Sequence, residues 1–284
     1  VASVEVFEQQ RPRMFGIAYR MLGSASEAQD IVQDAWLRWQ GTTQTVDNPG
    51  AFLATVVTRL ALNALDSARA RRETYVGPWL PEPVDTSADP LLGAERSEAL
   101  SLAVLLLLER LSPAERAAYV LHEAFDYPFR QIAEVLEISE ANARQLGSRA
   151  RKHIESQRRA DVAPAERERL LAALVTAMQT GDLEALESCL AEDVVVYSDG
   201  GGIVTAARKA VVGRERVAAF LLGIMQKQAS DLAFEPLLAN GEIAVLGLRG
   251  AGVQSVTAID YSADGVAQIM IVMNPEKLAS VSRS

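Results

Sequence analysis

Between Thr74 and Gly93 the chain reads TYVGPWLPEPVDTSADPLLG, and its four prolines and two glycines admit neither a helix nor a central strand. Each proline removes a backbone donor and fixes φ, so no regular element crosses this stretch. At 284 residues the chain also exceeds the ~250 at which a single hydrophobic core stops growing. The break therefore separates domains. Trp79 is its odd member. A bare spacer has no use for a large aromatic in water, so Trp79 is expected to dock on a neighbouring domain.

The sequence before the break is helical. Ser24 and Glu27 have capping-box spacing ahead of AQDIVQDAWLRWQ, where Ile31, Val32, Ala35, Trp36 and Trp39 recur at helical intervals. Both tryptophans are expected in the core. Asn48 and Pro49 start a second helix whose stripe of Phe52, Leu53, Val56, Val57, Leu60, Ala64 and Leu65 runs into ARARR. After the break, SLAVLLLLERL ends one helix and Ser112-Pro113 begins another. PFRQIAEVLEI then places Ile132, Ala133, Val135 and Leu136 at core spacing. Ser139 caps EANARQLGSRARKHI, which carries Ala143, Leu146, Gly147, Ala150 and Ile154 on one arc of about 100°. Two helices joined by a short turn make a helix-turn-helix. Opposite the core arc lie Arg144, Gln145, Ser148, Arg149 and Lys152, the acid-free basic face that a major-groove helix needs.

That face sits in an acidic protein. The net charge is −9, yet Arg144–Arg159 holds six basic residues and one acid, and Arg59–Arg72 holds four and one. Positive charge concentrated in two windows is the footprint of contact with a polyanion, although two solvated helix faces would look the same by charge alone.

The last part changes character. ERERLLAALVTAMQTGDLEALESCL gives two amphipathic helices, followed by strand-like DVVVYSD and IVTAARKAVV, a helix GRERVAAFLLGIM, and two hairpins turning at Asn240-Gly241 and Asp264-Gly265. This describes an α+β domain of roughly 120 residues.

Several chemistries are excluded or disfavoured. The single Cys189 forms no internal disulfide, and one cysteine with two histidines provides no zinc cluster. His122-Glu123 begins like a zinc-protease helix but lacks the second histidine, and Gly247–Gly252 imitates a dinucleotide loop without its spacing. No cofactor or metal is expected. The longest apolar run, Leu102–Leu108, is far shorter than the ~20 residues that span a bilayer, and VASVEVFEQQ has no signal-peptide pattern, so a soluble cytoplasmic protein without membrane contact is expected.

Residues 5–73 resemble region 2 of the extracytoplasmic-function (group IV) sigma-70-type sigma factors. SASEAQDIVQDAWLRWQ is similar to their polymerase-binding helix and NPGAFLATVVTRLALNALDSARARRE to their promoter-melting helix. Residues 96–159 resemble region 4, and the C-terminal part resembles the SnoaL-like branch of the NTF2-like fold, a tail carried by the sigma J-like subgroup. Three signatures of that subgroup stand here as WLPEP at Trp79–Pro83, DGGG at Asp199–Gly202 and NPEKL at Asn274–Leu278. Ile203 departs from the basic residue that more often follows DGGG.

The resemblance implies a multidomain protein of two all-α helical domains and an α+β NTF2-like cone. Its parts would be region 2 at 1–73, a Pro-rich linker at 74–95, the region 4 helix-turn-helix at 96–160 and the SnoaL-like domain at 165–284. It implies a non-enzymatic sigma factor whose partners are core RNA polymerase and promoter DNA. Asp30, Gln33, Asp34 and Arg38 would bind polymerase. Arg59, Asn63, Arg69, Arg71 and Arg72, with the loop Gly41–Asp47, would open the −10 element. Arg144, Gln145, Ser148, Arg149 and Lys152 would read the −35 element. Trp79, Leu80 and Pro81 would meet Asp199, Gly200, Gly201, Asn274 and Pro275, letting the tail modulate activity in cis. A separate anti-sigma protein is neither implied nor excluded. Two other readings compete. One is an ordinary helix-turn-helix regulator with a tail that senses a small ligand. The other is a tail acting as an isomerase or cyclase through Tyr197, Asp199, Asp260 and Tyr261.

Overall fold

The computed structural model describes residues 3–43, 45–87, 100–158, 162–228, 232–279 and 281. They form two compact units, one from the chain up to Thr74 together with Thr86–Gln157, the other from Tyr75–Asp85 together with the chain from Arg158 onward. The first half of the Pro-rich stretch is thus part of the second unit's fold rather than a spacer. Residues 88–95 of the expected linker, and 96–99 and 159–160 of the expected helix-turn-helix domain, lie outside the described residues, as does Gln44 of the loop 41–47.

In the first unit, α1 (Val4–Leu22), α2 (Ala25–Gln40) and α3 (Pro49–Glu73) pack around Met14, Ile17, Ala28, Ala35, Leu53 and Val57. The caps fall where the sequence places them. Ser24 Oγ accepts from the Glu27 amide at 3.2 Å, and Asn48 Oδ1 from the Ala51 amide at 3.0 Å with Pro49 in the first turn. Trp39 is buried and donates its indole N–H to the Ser3 carbonyl at 3.0 Å, while Trp36 meets Phe7 edge-on at 4.8 Å. Both tryptophans are packing residues, as expected.

The same unit continues with α4 (Leu102–Leu108), α5 (Pro113–Tyr119), a π-helical turn at Val120–Ala124, α6 (Phe129–Leu136) and α7 (Glu140–Gln157). A reciprocal capping box between Ser112 and Glu115 starts α5. His122 lies in the π turn with Nδ1 3.0 Å from the Tyr127 carbonyl oxygen, and among the described residues no group of side chains could hold a metal. Glu137 ends α6 in the left-handed region at φ 57°, and Ser139 Oγ caps α7 by accepting from the Asn142 amide at 3.2 Å. Ala143, Gly147, Ala150 and Ile154 are buried. Gly147 lets α7 approach α6 closely, since a Cβ there would lie 2.7 Å from Phe129 Cε1.

The second unit carries α8 (Pro164–Thr180), α9 (Leu183–Cys189), β1 (Leu190–Asp199), β2 (Val211–Val212), α10 (Arg214–Gln228), β3 (Leu232–Ala239), β4 (Glu242–Arg249), β5 (Gly252–Ser262), β6 (Gly265–Val272) and α11 (Pro275–Leu278). The sheet order is β2-β1-β6-β5-β4-β3, with β1 and β6 parallel and the remaining pairs antiparallel. The α8 and α10 helices bury Leu170, Leu174, Val217 and Leu221 with Val196, Ile259 and Ile269 of the sheet. Asn240 and Gly241 both take positive φ, as a two-residue hairpin turn with the right twist requires. The strand expected over 203–212 shrinks to Val211–Val212. Ile203 and Val204 instead turn back to the Gly200 carbonyl, and the Ala207 amide donates to Ser198 Oγ at 3.0 Å. Side-chain and turn hydrogen bonds have displaced the ladder there.

Replacing Gly147 with Ala is expected to destabilise the first unit by ~1–3 kcal/mol through overpacking against Phe129. Phe129→Leu in the same chain should recover part of the loss. Urea denaturation followed by helical circular dichroism measures both, and an unchanged midpoint for Gly147→Ala would contradict the close packing of α6 and α7.

Candidate functional site

The α7 helix presents Arg144, Gln145, Ser148, Arg149 and Lys152 together on its exposed side, opposite the buried Ala143, Gly147 and Ala150. Arg144 is oriented by an ion pair to Glu140 one turn back and by the Phe129 ring, 5.4 Å from its guanidinium carbon. The nearby Arg151 is turned aside onto Glu123 of the π turn. The face therefore offers two guanidiniums, an amide and an ammonium along about two helical turns, a spacing suited to base edges and phosphates.

On α2, Asp30, Gln33, Asp34 and Arg38 are all exposed and share one face. Leu37 stands beside them with 59% of its surface in water, an apolar contribution that reading the polar residues alone missed. The α3 residues divide into two sets. Asn63, Arg69 and Arg71 are exposed, with Arg71 paired to Glu27. Arg59 and Arg72 are engaged within the protein. Arg59 donates to the Val135 and Glu134 carbonyls at 3.0 and 3.2 Å and pairs with Glu137 at 2.9 Å, so it caps the C-terminal end of α6. Arg72 points inward, bonding Glu109 and the Leu22 carbonyl. Arg116 shares Glu109 at 2.7 Å and donates to the Met21 carbonyl at 2.7 Å. Burial holds the pKa of both Arg72 and Arg116 down to about 10, with neighbouring guanidiniums adding to the shift. Both remain cationic at neutral pH, and the one carboxylate of Glu109 serves two charges. These contacts join α3 to the α4–α6 helices.

The second unit contains a clasp built on Asp199, whose side chain is fully buried at the end of β1. Its carboxylate accepts from the Tyr75 hydroxyl at 2.6 Å, the Leu80 amide at 2.9 Å and the Gly201 amide at 3.1 Å, and it pairs with the Lys277 ammonium at 2.7 Å. Lys277 is buried as well. It donates to the Leu80 carbonyl and lies over the rings of Trp79 at 4.3 Å and Tyr75 at 4.8 Å. Asn274 donates its side-chain amide to the Tyr75 oxygen at 2.9 Å and caps α11 by accepting from the Glu276 amide at 3.0 Å. A second anchor lies further along the segment, where Val84 and Asn240 exchange hydrogen bonds at 2.9 and 3.0 Å. The glycines after Asp199 are required. A Cβ on Gly200 would lie 2.4 Å from the Val204 carbonyl oxygen, and Gly201 has φ 61° with the Asn274 amide nitrogen 2.3 Å from where a Cβ would stand.

Trp79, Leu80, Asp199, Gly201 and Asn274 are thus brought together as the sequence suggested. Pro81 is buried beside Leu80, Gly200 turns the chain, and Pro275 opens α11. Tyr75 and Lys277, which supply the hydroxyl and the counter-charge, were not singled out, although Lys277 stands inside the quoted NPEKL.

Between α8, α10 and the inner face of the sheet lies a cavity of about 420 Å³. None of Tyr197, Asp199, Asp260 and Tyr261 lines it. The groups proposed as acid and base therefore do not face this cavity.

Residues 6–72 match Sigma-70 region 2, residues 101–154 match Sigma-70 region 4, and residues 171–271 match the SnoaL-like domain. The chain is 42% identical to the ECF RNA polymerase sigma factor SigJ of Mycobacterium tuberculosis, across 96% of this chain and 92% of the relative. It belongs to the extracytoplasmic-function sigma factors. A probable sigma factor SigI from the same organism is 33% identical over 94% of this chain and 92% of its own length. The crystal structure of M. tuberculosis SigJ superposes with a TM-score of 0.79 at 38% identity, covering 98% of this chain and 99% of that one. This sigma factor therefore partners core RNA polymerase in promoter recognition and is not an enzyme.

Asp199→Asn leaves the Lys277 ammonium buried without its counter-charge and is expected to destabilise the second unit by ~3–5 kcal/mol. Tyr75→Phe removes only a hydroxyl and should cost about 1 kcal/mol. Burial, and then the bond to Asp199, push the Tyr75 pKa upward, so its contribution is complete below the ordinary tyrosine value of ~10 and is lost as pH climbs beyond it. Thermal unfolding of the full chain from neutral to alkaline pH tests all three statements. Equal, small effects of the two substitutions would contradict a buried ion pair.

Proposed function

We propose that this sigma factor is regulated in cis by its SnoaL-like tail, with the Asp199 clasp as the regulatory contact. The observation that carries the reading is a buried carboxylate whose partners come from WLPEP and its approach on one side and from the DGGG and NPEKL segments on the other. The segment Tyr75–Asp85 is part of the connection between region 2 and region 4. When it is clasped, α3 is followed by a single residue, Thr74, before the chain is held by the tail.

Separation of the two reading domains matters because of DNA geometry. The −10 and −35 elements are about 25 base pairs apart, or ~85 Å at 3.4 Å per base pair. A globule the size of the first unit has a radius of gyration of only ~15 Å. Regions 2 and 4 must therefore part to engage both elements, releasing Arg59 from the end of α6 and Arg72 from Glu109. On this reading Arg59, Asn63, Arg69, Arg71 and Arg72 track the −10 strand after opening. Asp30, Gln33, Asp34 and Arg38, with Leu37 beside them, dock polymerase. Arg144, Gln145, Ser148 and Arg149 read −35 base edges while Lys152 meets a phosphate. A role on promoter DNA with core polymerase supports a location in the bacterial cytoplasm.

Arg144→Ala or Arg149→Ala should relax base preference at one −35 position and cost ~1–3 kcal/mol there, whereas Lys152→Ala should weaken all sequences alike and lower the salt slope by about one. Binding measured over a randomised −35 element at two salt concentrations separates these. Trp79→Ala removes an aromatic anchor of the kind that contributes ~2 kcal/mol or more. It should change the level of transcription in vitro with core polymerase while both helical regions stay folded. Identical transcription from the parent and Trp79→Ala chains would overturn regulation through the clasp.

A further inference from the structure

The cavity of the second unit has a definite chemistry. Its walls are mostly apolar, with Leu174, Leu221, Phe234, Ile259 and Ile269 among them. Its exposed polar side chains, Gln179, Thr205, Arg249 and Gln254, stand at its rim, while Ser255 is buried and Thr257 half-buried in its wall. Among the described residues lining it there is no carboxylate, histidine, lysine or tyrosine, and Arg249 is the one charged group. A volume of about 420 Å³ falls within the range of small-molecule sites. A wall without acid or base suits binding rather than turnover. A mostly apolar interior with two wall hydroxyls and a single guanidinium at the rim selects an apolar body ending in an anionic head, because a cationic head would meet Arg249 and an uncharged one would forgo a charge-assisted hydrogen bond.

The cavity also touches the clasp. Met273, Pro275 and Leu278 line it from the end of β6 and from α11, whose Lys277 faces the opposite way onto Asp199. Val204 and Thr205 line it from the turn whose backbone closes against Gly200. A molecule packed against Pro275 and Leu278 supports α11 from behind and so favours the closed clasp.

We propose that the cavity is a receptor site for an amphipathic anion of the fatty-carboxylate type, and that occupancy tightens the hold on Tyr75–Asp85. The first half rests on the cavity alone, and the second rests on the regulatory reading above.

The test uses the full chain and three twelve-carbon probes, dodecanoate and dodecyltrimethylammonium below their micelle concentrations and dodecanol below its solubility limit. Titration calorimetry should give saturable one-to-one binding of dodecanoate, weaker binding of the alcohol and none of the cation. Arg249→Gln, an exposed position that leaves the core intact, should weaken dodecanoate about ten-fold without affecting dodecanol. Ile224→Trp, which fills the cavity from α10, should abolish binding of both. No saturable binding overturns the site, and equal affinity for the three probes, or an unaffected Arg249→Gln chain, overturns the anionic head. Hydrogen exchange at the Leu80 and Val84 amides, which donate to Asp199 and Asn240, should slow when dodecanoate is bound. Unchanged or faster exchange with dodecanoate bound overturns the coupling and leaves the site standing. Slowed exchange with no effect of dodecanoate on transcription would instead count against the regulatory reading.

Discussion

The second unit depends on keeping one charge pair dry. Asp199 and Lys277 are both buried, and a buried charge is tolerated only when its counter-ion and its remaining hydrogen bonds are supplied. The tail alone cannot supply them. β1 and α11 bring the carboxylate and the ammonium, and the Gly200–Gly201 turn gives one amide, but the Leu80 amide and carbonyl and the Tyr75 hydroxyl come from more than a hundred residues earlier. The segment Tyr75–Asp85 is therefore a structural component of the tail. Without it two ionised groups would lose part of their satisfaction at once. That dependence suits a switch, because the contact is strong when complete and costly when partial.

The first unit is held by a different balance. Its packing of α3 against the later helices also uses buried charge, but there two guanidiniums share the single Glu109 carboxylate, and burial depresses both their pKa values. At Arg72 the nearby Glu27 offsets part of that shift. Arg59 adds two hydrogen bonds to the end of α6 and an ion pair to Glu137 that is solvent-exposed, and such exposed pairs contribute little. The cations that hold the two regions together are of the type that phosphates attract.

Local signals in the chain led directly to much of this architecture. Ser24, Asn48, Ser112 and Ser139 cap helices where their spacing to the following residues predicts, and Asn240-Gly241 turns a hairpin. The exposed face of α7 follows from its period alone, because the small residues Ala143, Gly147 and Ala150 dictate which side is buried. Failures came where distant partners decide. The stretch 203–212 has strand-forming residues, yet Ser198 and the Gly200 turn take its hydrogen bonds, and nothing local announces that. Arg72 sits in a basic run that reads as solvent-facing, but it ends beside Glu109, 37 residues away. Tyr75 and Lys277 escaped notice for the same reason, since a tyrosine before a proline-rich stretch and a lysine near the C-terminus become partners only through a carboxylate that belongs to neither neighbourhood.

The placement of Asp199 also decides between two uses of one fold. A cone of this type can serve as an enzyme when a carboxylate faces its interior and moves a proton beside a carbonyl. Here the carboxylate at the end of β1 faces away from the cavity, and every polar group it meets is structural. Moving it to the clasp strips the interior of acid and base while leaving the interior's volume and apolar walls. What remains is a chamber whose one charged rim group is Arg249 and whose wall includes the helix that carries Lys277. The α11 helix lines the chamber through Pro275 and Leu278 and, through Lys277, holds Leu80 and Asp199.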